Sequence, residues 1–303
     1  MSRIEKAIEM AAKKREATSV GAASSPPEPQ TPPSFQHQSQ AATTPLETPP
    51  TVHGAVVTPH FEEQHESFAS IPAPVIRNPF LVTATGENCP ASEQYRKLKS
   101  AIVKLAQLGR FDKSLMVTSA IGGEGKTLTS LNLAITLAQE FDHTVLLVEA
   151  DIRRPTIMKY LEMEGPVGLT DCVLDGIDVG DALVKTGIGK LSILPAGRMV
   201  PNPVELFSSN RMQNLLLEIK NRYPDRYVII DTTPLLPFAE PQFIANVVGG
   251  VIFVVREGYS SMDKATKALG LLKNHNLLGV VCNGMSQVHS GGKYGYYGYY
   301  GYK

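Results

Sequence analysis

Residues Ser119 to Leu128 read Ser-Ala-Ile-Gly-Gly-Glu-Gly-Lys-Thr-Leu. From Ala120 this is the spacing Gly-x-x-x-x-Gly-Lys-Ser/Thr, with Ala120 in the place of the first glycine. Gly122, Gly123 and Gly125 let successive backbone N–H groups close on an anion with no Cβ in the way. A helix beginning just after the loop presents its N-terminus to the same anion. Gly122, Gly123, Glu124, Gly125, Lys126, Thr127 and Leu128 are thus expected to cradle the phosphates of a nucleotide. Lys126 would reach the β- and γ-phosphates, and the Thr127 hydroxyl would ligate Mg²⁺. ATP and Mg²⁺ are the implied ligands.

Two further segments place carboxylates at strand ends. Tyr227-Val228-Ile229-Ile230 is an apolar strand followed by Asp231, where a second strand would supply the acid that holds the metal or its water. Val145-Leu146-Leu147-Val148 runs into Glu149-Ala150-Asp151-Ile152-Arg153-Arg154. Two acids two residues apart point the same way along an extended chain, so both are expected to flank the phosphate face of Lys126. Arg153 and Arg154 add positive charge for a developing phosphoryl charge, or for pairing with those acids.

The chain ends in Gly-Tyr-Tyr-Gly-Tyr-Tyr-Gly-Tyr-Lys, and Tyr294, Tyr296, Tyr297, Tyr299, Tyr300 and Tyr302 are six of its eleven tyrosines. Separated by glycines, they form no packed element, so their hydroxyls are expected to be exposed. As a flexible coil the 18 residues from Ser286 span about 23 Å, and at most about 60 Å extended. A neighbouring subunit's site is within that reach. Beside a nucleotide site with carboxylates to spare, the tail reads as a substrate.

These residues need a frame. The 303 residues carry 29 Lys plus Arg and 29 Asp plus Glu, so no basic excess points to a nucleic-acid partner. Three cysteines, at 89, 172 and 282, lack any metal-ligand spacing, which with no signal peptide implies a reducing, cytoplasmic setting. No run approaches the roughly 20 apolar residues that cross a bilayer. The longest, Ala245 to Val255, reads as a buried strand.

Residues 1–17 read as a short amphipathic helix that needs a docking partner, be it a protein, a membrane surface or the body of the chain. Residues 18–76 read as a disordered linker: Thr18 to Pro74 holds eleven of the 22 prolines and no Lys or Arg. Residues 77–285 alternate strands and helices. Strands are expected at Ser114–Thr118, Thr144–Val148, Leu191–Leu194, Tyr227–Ile230, Val251–Val255 and Leu278–Val281. Helices are expected at Ser92–Leu108, Thr127–Glu140, Val204–Tyr223 and Ser261–Asn274. This is an α/β domain with a mostly parallel sheet covered by helices on both faces. Residues 286–303 form the tyrosine tail.

Together these segments resemble the bacterial tyrosine kinases, P-loop autokinases of exopolysaccharide synthesis with a deviant Walker fold related to positioning ATPases. The stand-alone autokinases of exosortase loci are the nearest group, opening with a similar Ser-Arg-Ile-Glu-Lys-Ala helix. The resemblance implies that Lys126, Glu149, Asp151, Arg153 and Asp231 are catalytic, that Thr127, Asp151 and Asp231 serve the metal, and that the tail tyrosines are autophosphorylated. Glu149 stands where the family usually has Asp. Glu93, Arg96 and Lys99 resemble a Glu-x-x-Arg-x-x-Arg helix that seats one subunit on the next in a ring, with Lys99 replacing the last Arg. Implied partners are other copies of the chain, a separate Wzz-like membrane polysaccharide co-polymerase as activator, and a tyrosine phosphatase. The activator would recruit the protein to the inner face of the plasma membrane. Glu149 and Asp151 both remain open as the group that orients or deprotonates the tyrosine. Two rival readings are a positioning ATPase and a nucleotide-binding scaffold. The former carries a Lys where this chain has Ile121.

Overall fold

Uninterrupted runs of Val, Ile and Leu build the centre of the fold. A computed structural model of the chain describes residues 74, 76–85, 89–140, 143–222 and 225–285. They lie in the unit Glu63–Lys303; a second unit, Met1–Glu62, falls outside the described residues. So do the expected N-terminal helix, nearly all of the linker, and the tail with its six tyrosines.

Seven strands form one sheet among the described residues: β1 (Ser114–Ser119), β2 (Val145–Glu149), β3 (Val184–Lys185), β4 (Leu191–Leu194), β5 (Tyr227–Asp231), β6 (Gly250–Arg256) and β7 (Leu277–Asn283). Their order is β3-β4-β2-β5-β1-β6-β7. Every neighbouring pair is parallel except β3 with β4.

Parallel strands are covered on both faces, and the side chains divide by the two-residue period. Met116, Leu146, Val148, Val228, Ile230, Val251 and Phe253 join one buried cluster. Leu115, Val117, Val145, Leu147, Ile229, Ile252 and Val254 join the other. Onto the second face pack α1 (Pro90–Gln107) and α2 (Lys126–Ala138). The short α3 (Ile157–Tyr160) packs there too. The first face takes α4 (Leu169–Asp175), α5 (Val179–Ala182), α6 (Pro203–Ser208), α7 (Asn210–Asn221), α8 (Glu240–Ala245) and α9 (Met262–Leu271).

The expected helix over Val204–Tyr223 is two helices. Ser209 between them is extended (φ −69°, ψ 146°), and its hydroxyl accepts the N–H of Met212 at 3.2 Å. Serine thus acts as an N-cap rather than a helix interior residue. The apolar run from Ala245 is not one strand: Ala245 closes α8, and β6 begins only at Gly250. Ile76, just before the expected domain start, already packs on the second cluster. Among the described residues, no helix is long and apolar enough to cross a membrane.

Because β1, β2, β5, β6 and β7 run parallel, their C-terminal ends share one edge. Register places Glu149 beside Asp231 and Val117 beside Asp231. The carboxylates and the glycine-rich loop after β1 therefore meet at that edge, where ligands of open parallel sheets bind.

Candidate active site

The loop between β1 and α2 owes its shape to glycine. Gly123 and Gly125 have φ of 84° and 95°, the left-handed region that a Cβ disfavours. Gly125 is the N-cap of α2, and no side chain caps that helix start. Its first N–H groups are left for an anion.

Carbonyls and carboxylate of the loop are held from outside. The Tyr259 hydroxyl donates to Gly122 O at 3.1 Å, Arg256 Nη1 to Gly123 O at 3.2 Å, and Asn283 Nδ2 to Glu124 O at 3.1 Å. Glu124 is fully buried, and its Oε2 accepts the N–H of Ile121 at 2.8 Å. Its Oε1 accepts from the Ser260 hydroxyl. Glu124 thus ties the loop together from within.

Lys126, Thr127, Asp151 and Asp231 converge at the start of α2. Lys126 Nζ lies 2.9 Å from Asp151 Oδ2. The Thr127 hydroxyl donates to Asp231 Oδ2 at 2.8 Å, and the Ser130 hydroxyl to Asp231 Oδ1 at 2.9 Å. Burial works against the Lys126 charge, but Asp231 and Asp151 outweigh it and hold the ammonium above its ordinary range. Burial pushes Asp231 up to about 6, with Lys126 and the two hydroxyls opposing it. A divalent cation beside Asp231 would favour its ionised form. Among the described residues no three His, Cys, Asp or Glu form a metal-binding group. The Thr127 hydroxyl and the Asp231 carboxylate fit Mg²⁺, which takes one or two carboxylates and fills its shell with water and phosphate oxygens.

The paired acids of β2 do not both face Lys126. Asp151 does, whereas Glu149 Oε1 accepts the N–H groups of Thr156 and of Ile157, the latter at 2.6 Å. Glu149 therefore anchors the start of α3. Burial raises its pKa to about 7 against the pull of those two N–H groups. Arg153 also turns aside: its Nε and Nη2 each lie 2.7 Å from Oε1 of buried Glu240, and its guanidinium sits 4.6 Å over the Phe238 ring. Glu93 and Arg96 lie exposed on α1 and pair with each other at 3.1 Å. Lys99, by contrast, bonds Glu140 within the chain at 2.6 Å.

Ser130, Glu240, Arg256, Tyr259, Ser260 and Asn283 escaped the sequence reading. Ser130 alone carried a signal, standing three residues after Thr127 on the same helix face. The others reach the site from loops and strand ends distant in sequence.

The family described as an AAA domain matches residues 112–264. Over 207 residues the chain is 38% identical to tyrosine-protein kinase YwqD of Bacillus subtilis, covering 68% of this chain and 85% of that one. The chain belongs to the bacterial tyrosine-protein kinases. Tyrosine-protein kinase CpsD of Streptococcus agalactiae is 34% identical over 182 residues, 59% of this chain and 77% of the relative. Among solved structures, the chimerical protein CapA2B2 superposes with a TM-score of 0.64 at 29% identity, over 72% of this chain and 95% of that one. The kinase domain of Escherichia coli tyrosine kinase ETK gives 0.63 at 28% identity, over 70% and 82%. The tyrosine kinase described here is therefore a nucleotide-binding enzyme of the P-loop class.

Proposed function

We propose that this kinase transfers the γ-phosphoryl group of ATP to Tyr294, Tyr296, Tyr297, Tyr299, Tyr300 and Tyr302 of an adjacent copy. The observation that carries this reading is the convergence of Lys126, Thr127, Asp151 and Asp231 at the uncapped start of α2. The loop N–H groups and Lys126 bind the phosphates. Thr127 and Asp231 would hold Mg²⁺, with Asp151 on it or its water. Bound there, the ion neutralises charge on the phosphate oxygens.

Lys126 now rests on Asp151. Phosphate oxygens compete for the same ammonium, and its transfer to them frees Asp151 Oδ2. Asp151 then accepts the proton of the incoming phenol, whose ordinary pKa of about 10 makes positioning the larger part of its activation. Glu149 supports this indirectly by fixing the segment from Asp151 to Ile157. Arg153 pins the same segment to Glu240.

As the resemblance implies, the wider role is control of exopolysaccharide polymerisation or export. A Wzz-like membrane co-polymerase would activate the kinase and recruit it to the inner face of the membrane, and a phosphatase would reverse the modification. The parallel run of β6 and β7 supports the tail as substrate: the chain leaves β7 at the edge where Asn283 touches the phosphate loop. Purified protein incubated with Mg-ATP tests the reading, with phosphate mapped by mass spectrometry. Phosphotyrosine in the tail, absent from Lys126→Met, is expected. Its absence even with the activator's cytoplasmic segment added rejects the reading.

A further inference from the structure

The outer hold on the phosphate loop has a chemical weak point. In a trans peptide, a carbonyl and the next residue's N–H point opposite ways. With Gly122 O, Gly123 O and Glu124 O drawn outward by Tyr259, Arg256 and Asn283, the N–H groups of Gly123, Glu124 and Gly125 face the phosphate side. One of the three holding groups is itself a tyrosine hydroxyl. Its ring lies against Gly123, where an added Cβ would meet the hydroxyl at 3.1 Å.

Tyr259 is also placed to be modified. It is 52% exposed, whereas Tyr95 and Tyr160 are partly covered and Tyr227 is buried. Glycine precedes it, as it precedes Tyr296, Tyr299 and Tyr302 of the tail, and no other tyrosine outside the tail has that neighbour. We propose that Tyr259 is a further acceptor tyrosine of this kinase, and that its phosphorylation loosens the phosphate loop and weakens nucleotide binding. This rests on the self-phosphorylation reading above.

The hydroxyl is bonded to a carbonyl that points away from its own nucleotide, so the donor is a second copy. The phenolic oxygen bonds to the γ-phosphorus of the ATP held there. The bond from that phosphorus to the β–γ bridging oxygen breaks, and ADP departs with the electron pair. The phenolic proton passes to Asp151 of that copy and then to water. The product ester has no hydrogen to donate, so Gly122 O loses its partner. The new group adds about −1.5 to −2 charge. Arg256, whose guanidinium carbon already lies 5.6 Å from the Tyr259 ring centroid, is drawn toward it and off Gly123 O. Two of three loop carbonyls are then released, beside a dianion that repels the nucleotide.

The test uses the full chain. After incubation with Mg-ATP, phosphate is mapped on Tyr259 and on the tail cluster, with Lys126→Met as the blank. Separately, phosphotyrosine is installed at position 259 by genetic-code expansion, and affinity for a fluorescent ADP analogue is measured, with a thermal melt to confirm folding. Phosphate on Tyr259 is expected, together with an affinity loss on the order of tenfold or more in the folded phosphoprotein. Tyr259→Phe, which loses the hydroxyl but gains no charge, should show a smaller loss. A phosphorylated tail with Tyr259 unmodified overturns this proposal and leaves the tail reading intact. No phosphate at either place overturns both. Unchanged affinity in the folded phosphoprotein overturns the switch.

Discussion

Buried carboxylates at the site respond to pH and to each other. Asp231 has its folded pKa raised to about 6 and Glu149 to about 7, both by burial first. A raised acid binds protons more tightly in the folded state than in the unfolded one. Stability therefore falls as pH rises through the window from about 4 to about 7. The melting temperature of the nucleotide-free protein should be higher at pH 5.5 than at pH 7.5. In Glu149→Gln that difference should shrink, because the amide oxygen still accepts the α3 N–H groups while the titration is gone. An equal difference in both proteins would remove Glu149 as its source. Asp231→Asn should leave the nucleotide-free melting temperature at pH 7.5 unchanged or higher, since no charge then needs burying. Self-phosphorylation should fall by about 100-fold or more. A large drop in melting temperature would show that the Asp231 charge stabilises the empty protein. The convergence of Lys126, Thr127 and Asp231 was legible in sequence because each sits in a short contiguous pattern. The separate settings of Asp151 and Glu149 were not, because the two backbone N–H groups that claim Glu149 belong to the N-cap and first residue of a four-residue helix too short to leave a periodic signal.

At the scale of elements, the sheet was legible because parallel strands buried on both faces are written as unbroken Val, Ile and Leu. Leu191–Leu194 was located residue for residue, and the other central strands within one or two positions. The pieces that sequence did not show are two to seven residues long, or interrupt a longer pattern as Ser209 does. One element-level prediction concerns the turn into α2. Gly125→Ala places a Cβ 1.9 Å from Asn283 Nδ2 at a backbone φ of 95°. It must displace the amide that holds Glu124 O and strain the turn by about 1–3 kcal/mol. Nucleotide affinity should drop by about tenfold or more, read by titration with a fluorescent analogue. Unchanged affinity would mean that the Asn283 contact does not shape the loop.

Across the described domain, the glycine-rich loop, the acids and the exit of β7 share one edge of the sheet, whereas α1 lies on a face. Lys99 is tied to Glu140, so Glu93 and Arg96 are the exposed members of the three, and on the proposed ring reading they are the pair a neighbouring copy would meet. On that reading the native chain should scatter light as an oligomer, Arg96→Glu should scatter as a monomer, and Lys99→Met should keep the native mass; a monomeric native chain would end the ring proposal, and the reverse pattern would reassign the contact. Phosphates on several tail tyrosines repel one another and the acidic rim, so incubation with Mg-ATP should lower the measured mass of the assembly. An unchanged mass after full phosphorylation would sink that link.

The common polarity of the strands also dictates where the enzyme tolerates interference. β7 ends at Asn283, whose amide touches the glycine-rich loop, so on the proposed reading an affinity handle or fluorophore placed two residues on, at Met285, would compete with the incoming phenols. The turns leading into β1 and β4 open on the opposite side of the sheet, about one strand length away. Labels seated in those turns would follow assembly and turnover without touching either.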